Sequence, residues 1–243
     1  MLGLRSPAMT ATDDLARAKE RGWREVRAID DAYARGDLDD AGWHRAIAAL
    51  IEPAYLGADT AEGGSGYTGT REAWENARGL IADALARSGT FLDVGCANGL
   101  LMESIVAWGA RRGFAVDPYG LDILPALAER ARTRLPRWAD RIFVGNALGW
   151  RPPMRFDHVR TGLDYVPAPR RRELVAWLVE RVVAPGGRLI IGTTNEEIAK
   201  PELEPQLVAW GHAIAGRAER PHRVPEVAYR VVWIDRSVGV TRP

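Results

Sequence analysis

The chain has 243 residues, 47% of them apolar and 27% charged, a balance that excludes a disordered or fibrous protein. Lys and Arg number 33 against 32 Asp and Glu, so no large positive field exists to hold a nucleic-acid backbone or an anionic membrane, and a nucleic-acid partner is disfavoured. A single cysteine, Cys96, excludes an intramolecular disulfide, and His44, His158, His212 and His222 lack metal-ligand spacing, so no metal is expected.

The N-terminus carries no charged-then-apolar leader, and no apolar run approaches the roughly 20 residues of a membrane span. A cytoplasmic protein with no membrane partner is therefore expected. The first third reads as helical. Val26, Ile29 and Tyr33 keep helical spacing, although Gly22 weakens one unbroken helix from Asp13 to Arg35. Asp39 can cap a helix with Trp43, Ile47 and Leu50 on one face and Pro53 beyond its end. Gly63-Gly64-Ser65-Gly66-Tyr67-Thr68-Gly69 reads as a mobile loop that can serve as a lid. Thr70 can then cap a helix that places Trp74, Arg78, Ile81 and Leu85 along one side and stops at Gly89. Residues 1–88 are thus expected to form a helical cap on a core of residues 89–243, one domain with an appendage.

From Thr90 onward strands alternate with helices, the pattern of a parallel sheet covered on both faces. Strands are expected at Phe91–Gly95, Tyr119–Ile123, Arg141–Val144, Asp157–Leu163 and Arg188–Gly192. Helices are expected near Leu100–Arg112, Leu124–Leu135 and Arg170–Val183, the Arg170-Arg171-Arg172 run being a solvated helix opening. A short helix at Leu203–Trp210 ends at Gly211. Ala213–Arg220 and Val227–Asp235, joined through Pro221 and Pro225, must then pair antiparallel, because a parallel return needs a long crossover.

The chemistry concentrates in Phe91-Leu92-Asp93-Val94-Gly95-Cys96-Ala97-Asn98-Gly99-Leu100-Leu101, a buried strand, a glycine turn and the start of an apolar helix. Gly95 suits the sharp turn, Gly99 admits close helix approach, and the amides of the first helical turn face a ligand. This segment resembles the first motif of the class I S-adenosylmethionine-dependent methyltransferases, an acid followed by a Gly-x-Gly-x-Gly turn. Asp93, Gly95 and Gly99 match it, while Ala97 replaces the middle glycine.

The resemblance runs from about Gly89 to Asp235. Tyr119-Gly120-Leu121-Asp122-Ile123 looks like the second strand and its ribose-binding acid; Asp122 lies further along than dinucleotide folds place theirs, so Asp117 is a rival. Val144-Gly145-Asn146-Ala147 is similar to the family's Gly-Asp-Ala turn, with Asn146 either accepting from the adenine amino group or simply holding the turn. Phe156-Asp157 leads through Leu163-Asp164-Tyr165-Val166-Pro167, the loop that borders the transferable methyl, and Pro185-Gly186-Gly187 resembles the turn into strand five.

The resemblance implies an α/β, doubly wound, seven-stranded sheet in the order 3-2-1-4-5-7-6 with one antiparallel strand. It implies S-adenosylmethionine as cofactor, with S-adenosylhomocysteine as product. The residues it implies around that cofactor are Asp93, Gly95, Cys96, Ala97, Gly99, Asp122, Ile123, Asn146, Ala147 and Leu163, with Tyr67, Trp74 and Arg78 closing from the cap. Asp164 and Tyr165 are the candidates for binding or deprotonating an acceptor, although Asp164 can equally cap the next segment and Tyr165 can be core. Trp74 as core, Arg78 as an exposed helix residue and His158 as a structural histidine are the plainer readings of those positions. No Asn/Asp-Pro-Pro-aromatic motif follows strand four, which favours methylation of O or N on a small organic acceptor. A nucleic-acid or protein methyltransferase, a non-catalytic module of the same fold and a nicotinamide-binding enzyme are the alternatives.

Overall fold

The computed structural model describes residues 24–192, 203–222 and 228–238, and the chain divides into two units, residues 1–51 and 52–243. The helical residues expected before 24, together with Pro225 and Val227 of the hairpin connection, lie outside the described residues. In the first unit residues 24–34 form helix α1 and Asp39 caps helix α2 (Asp40–Leu56), its carboxylate accepting the Gly42 N–H at 2.6 Å. The cap satisfies one of the orphan donors of the first helical turn. The Trp43 indole donates to Asp30 at 2.8 Å and the Tyr33 hydroxyl to Asp40 at 2.7 Å, fastening α1 to the start of α2. Pro53 lies inside α2 rather than beyond it. A proline removes one hydrogen bond without forbidding the turn that follows, which closes through the Gly57 N–H to Pro53 O at 2.9 Å.

The second unit is built on a seven-stranded sheet. Its strands are β1 (Gly89–Val94), β2 (Val116–Asp122), β3 (Ile142–Val144), β4 (Phe156–Thr161), β5 (Val183–Gly192), β6 (Gly216–Pro221) and β7 (Ala228–Asp235). The spatial order is β3-β2-β1-β4-β5-β7-β6, parallel except for β7, which runs antiparallel to both its neighbours. This is the expected order. Helices α3 (Arg71–Arg78), α4 (Leu100–Ala110), α5 (Pro125–Arg134), α6 (Arg171–Trp177) and α7 (Leu203–Ala209) complete the described regular elements. Phe91, Leu92 and Val94 are all buried because β1 is covered on both faces, the reason its sequence reads as a continuous apolar run.

Two apolar clusters sandwich the sheet. Leu92, Val94 and Val159 pack with Leu174 and Leu178 on one face, and Phe91 and Ile190 pack with Trp74, Leu80, Leu100 and Tyr229 on the other. Residues 52–88, grouped with the N-terminal helices on sequence, therefore belong with the sheet. The single helix expected up to Gly89 divides: α3 ends at Arg78 and a 3-10 turn covers Gly79–Ala84. Leu80, Ile81, Ala82 and Ala84 are all buried, a pattern with no polar stripe for a 3.6-residue period to turn outward. Pro185-Gly186-Gly187 sits within β5 and not before it. The β4–β5 pairing jumps from Phe156↔Val183 to His158↔Arg188, so these three residues and Ala184 before them form a bulge opposite Asp157.

His158 is a buried structural histidine, accepting the Ala86 N–H on Nε2 at 3.2 Å. Burial lowers its pKa to about 4. The unfolded chain takes up this proton near pH 6.5 and the folded chain only near 4, so this residue's contribution to stability falls as pH drops between those values and is constant below. The loss amounts to roughly 3 kcal/mol at most. Melting curves of wild type and His158→Gln from pH 7.5 to 4.5 are expected to converge as the pH falls; parallel curves would contradict a buried neutral imidazole.

Candidate active site at the glycine turn

β1 delivers the chain to a turn in which Gly95, Ala97 and Gly99 all take positive φ, +74°, +47° and +76°. The Gly95 and Cys96 amides both donate to Leu121 O, at 2.7 and 3.1 Å, folding the turn over the end of β2. A Cβ on Gly95 would stand 2.5 Å from the Tyr165 ring, so only glycine fits between strand and tyrosine. Ala97 adopts the left-handed region at a cost of roughly 1 kcal/mol. Its N–H is fixed by Asp122 Oδ2 at 2.8 Å. Asn98 is buried; its side-chain oxygen accepts the Leu100 N–H at 3.1 Å and its amide donates to Ala61 O at 2.7 Å.

Asp122 closes β2. Its two oxygens accept the Ala97 and Leu124 amides at 2.8 and 2.9 Å, which aim the carboxylate while leaving further lone pairs for hydroxyl donors. Burial raises its pKa, against the pull of those amides. The rival Asp117 pairs with Thr90 at the opposite end of β2 and is ion-paired to Arg141, so it lies at the wrong edge of the sheet. Past Asp122, Ile123 is 39% exposed, and at the end of β3 Val144 is 43% exposed. Two large apolar side chains thus stand open at the same edge. Asn146 Oδ1 accepts the Leu148 N–H at 3.0 Å and holds the turn. Ala147 is buried there and Leu163 is half-buried against the core.

Beside the turn lies a polar layer that the sequence reading missed. Arg160 of β4 is buried next to Asp93, with its Nη1 3.3 Å from Asp93 Oδ1, 3.4 Å from Val94 O and 2.8 Å from the Tyr165 hydroxyl. Burial opposes the guanidinium's charge, but Tyr165, Asp93 and Asp164 outweigh it, so Arg160 stays cationic. Burial pushes the Asp93 carboxyl up to about 7 although Arg160 pulls it down. The Tyr165 phenol is raised by burial and keeps its proton at neutral pH. β4 also carries Asp157, His158 and Thr161, so its sequence did not single Arg160 out.

Arg78 is half-buried over the Tyr67 and Trp74 rings, 5.5 and 5.8 Å from their centroids, and its pKa is lowered by burial and by Arg160. The Tyr67 hydroxyl lies 3.4 Å from that of Tyr229. Trp74 is 3% exposed, packs against Phe91 and Leu100, and its indole donates to Ser104 at 3.0 Å. Asp164 is exposed at the rim.

Residues 55–67 arch over the turn as a fixed strap. Arg130 of α5 donates to the carbonyls of Tyr55, Leu56 and Ala58 at 2.9, 2.5 and 2.7 Å. The glycine stretch expected as a mobile loop forms a 3-10 turn at Gly63–Ser65. Gly66 at φ +75° wraps the Tyr55 hydroxyl, which would lie 2.0 Å from a Cβ. Local hydrogen bonding and this contact order a segment that composition alone leaves open.

Among the described residues no cluster of His, Cys, Asp or Glu is arranged for a metal ion, and no helix is long and apolar enough to cross a membrane. No protein-family model matches the chain, and no curated protein matches its sequence. Solved structures do resemble it. The N-methyltransferase NodS from Bradyrhizobium japonicum, in complex with S-adenosylhomocysteine, superposes with a TM-score of 0.59 at 16% identity over 77% of this chain and 97% of that one. The [4+2]-cyclase SpnF gives 0.54 at 16% identity over 79% and 93%. The 1,6-didemethyltoxoflavin-N1-methyltransferase of Burkholderia thailandensis, with its substrate and S-adenosylhomocysteine bound, gives 0.52 at 19% over 78% and 86%. With the same strand order, the same antiparallel β7 and the glycine turn at the carboxyl end of β1, the chain has the fold of the class I S-adenosylmethionine-dependent methyltransferases.

Proposed function

We propose that the chain is a methyltransferase that uses S-adenosylmethionine to methylate an oxygen or nitrogen of a small organic acceptor. The observation that carries this reading is the juxtaposition, at one sheet edge, of the left-handed Gly95–Gly99 turn, the amide-fixed Asp122 carboxylate and the exposed Ile123 and Val144. These features fit the cofactor: a turn without side-chain bulk, an acceptor for ribose hydroxyls and an apolar surface for a purine. Asp93, Gly95, Cys96, Ala97 and Gly99 would line its methionine side, Asp122 and Ile123 its ribose, and Asn146, Ala147 and Leu163 its base. Asn146 Oδ1 accepts the Leu148 N–H with one lone pair and keeps the other for the adenine amino group. Tyr67 and Arg78 close the site from α3 and the strap, Arg78 supplying a cation for a carboxylate.

When bound, S-adenosylmethionine supplies an electrophilic methyl on a sulfonium that leaves neutral, so the protein need not stabilise a new anion there. Positioning and exclusion of water then do most of the work. Tyr165 accepts a hydrogen bond from Arg160 and keeps its own proton, so it acts as a donor that orients the acceptor. Asp164, at the exposed rim, would take the proton when the acceptor arrives protonated. Incubation with methyl-labelled S-adenosylmethionine and a panel of phenols, amines and carboxylic acids is expected to label at least one acceptor. Tight cofactor binding with no label transferred to any of the panel would favour a non-catalytic module instead.

A further inference from the structure

A groove of about 470 Å³ is lined by Arg151, Pro152, Met154, Arg155, Trp177 and Arg181. Arg155 directly precedes β4 and Arg181 lies just before β5, so the groove opens at the edge of the sheet opposite the glycine turn. Its floor is apolar and anchored: Met154 is 40% exposed, and the Trp177 indole donates to Trp150 O at 3.3 Å. Its rim is cationic. Arg155 Nη1 donates to the carbonyls of Glu180 and Val183 at 2.5 and 3.2 Å, and Arg236 Nη1 donates to the same two carbonyls at 2.9 and 2.6 Å.

Those carbonyls, one in the helical turn Leu178–Val182 that follows α6 and one on the first residue of β5, hold two guanidiniums close together, an arrangement that an added anion would favour. Arg151, Arg155, Arg181 and Arg236 form no ion pair among the described residues, whereas Arg87, Arg132, Arg141 and Arg188 each hold a carboxylate. Glu180 contributes its main chain to the cluster and no ion pair.

We propose that this groove docks an acidic segment of a partner protein in which a large apolar side chain is flanked by carboxylates. The arginines would take the carboxylates, with the planar fork that suits them, and Met154 and Trp177 would take the apolar side chain. A second copy of this chain is a poorer occupant, because acids such as Asp83, Asp117, Asp157 and Asp235 are already ion-paired within it. Nucleic acid is poorer still, since the net charge is only +1.

The test uses the full chain and fluorescein-labelled peptides read by fluorescence anisotropy at low salt: Asp/Glu heptamers with a central Phe, the same with central Ala, and the Asn/Gln counterpart. The acidic Phe peptide is expected to bind at least tenfold tighter than the other two. Arg151→Glu/Arg181→Glu is expected to lose that binding tenfold or more while melting and S-adenosylhomocysteine binding stay unchanged, and a Lys-flanked Phe peptide should bind the reversed variant instead. Equal binding by wild type and variant would overturn the proposal. So would tighter binding of a single-stranded oligonucleotide than of the peptide, or a wild-type dimer that the double substitution disperses.

Discussion

Asp122→Ala is expected to weaken S-adenosylhomocysteine binding by about 100-fold. Two hydroxyl-to-carboxylate hydrogen bonds at about 1.5 kcal/mol each account for that factor. The same change strands the Ala97 and Leu124 amides, which Asp122 now accepts at 2.8 and 2.9 Å. The variant should therefore also lose about 2 kcal/mol of stability, and Ala97 should relax from its left-handed conformation. Calorimetric titration below the melting range separates the two effects. Asp117→Ala, which breaks the ion pair to Arg141 and the hydrogen bond from the Tyr119 hydroxyl at the far end of β2, should leave the affinity within twofold. Equal losses for the two variants would mean that the β2 acid does not touch the ligand.

Arg160→Met is expected to be the most destabilising single change at the site. It removes the guanidinium that contacts Asp93, buried at 1% exposure, and the donor to Tyr165. Breaking a buried pair from one side costs about 3 kcal/mol or more, and at this chain length each 1 kcal/mol lowers Tm by roughly 2–4 °C. A drop of about 6–12 °C should follow. Adding Asp93→Asn to Arg160→Met should recover at least half of it, because the orphaned carboxylate is then gone. Additive losses in the double variant would show that the two side chains act independently.

The sheet was legible in the sequence because β1 is a short apolar run and β1, β2 and β4 each lead on to a helix. The antiparallel end followed from two strands with no helix between them. Asp39 and Thr70 declared their helices by capping chemistry, and both side chains do accept the expected amides. The bulge within β5 depends on pairing with β4 far along the chain, whereas the 3-10 turn after Arg78 and the strap at Gly63–Gly66 are closed by short-range hydrogen bonds that apolar periodicity does not register.

At the site, the glycine turn and Asp122 were visible because backbone geometry restricts the residue types there. Arg160, Asn98 and Tyr55 were not. Their roles come from non-local contacts with Asp93, Ala61 and Gly66, and an arginine in a strand or an asparagine in a turn is unremarkable until those contacts are known. Trp74 is similar: its helical spacing suits either a ligand wall or the core, and its hydrogen bond to Ser104 was not legible in the sequence.

The most direct test of the central claim is thermal unfolding of the full chain with S-adenosylhomocysteine, S-adenosylmethionine and NADH added separately, each at a hundredfold excess over a typical dissociation constant. Binding at that level contributes about 2.7 kcal/mol, a rise of roughly 5–10 °C for a chain of this size. The account predicts that rise with the two sulfur nucleosides and none with NADH; a rise with NADH alone, or with none of the three, would contradict it.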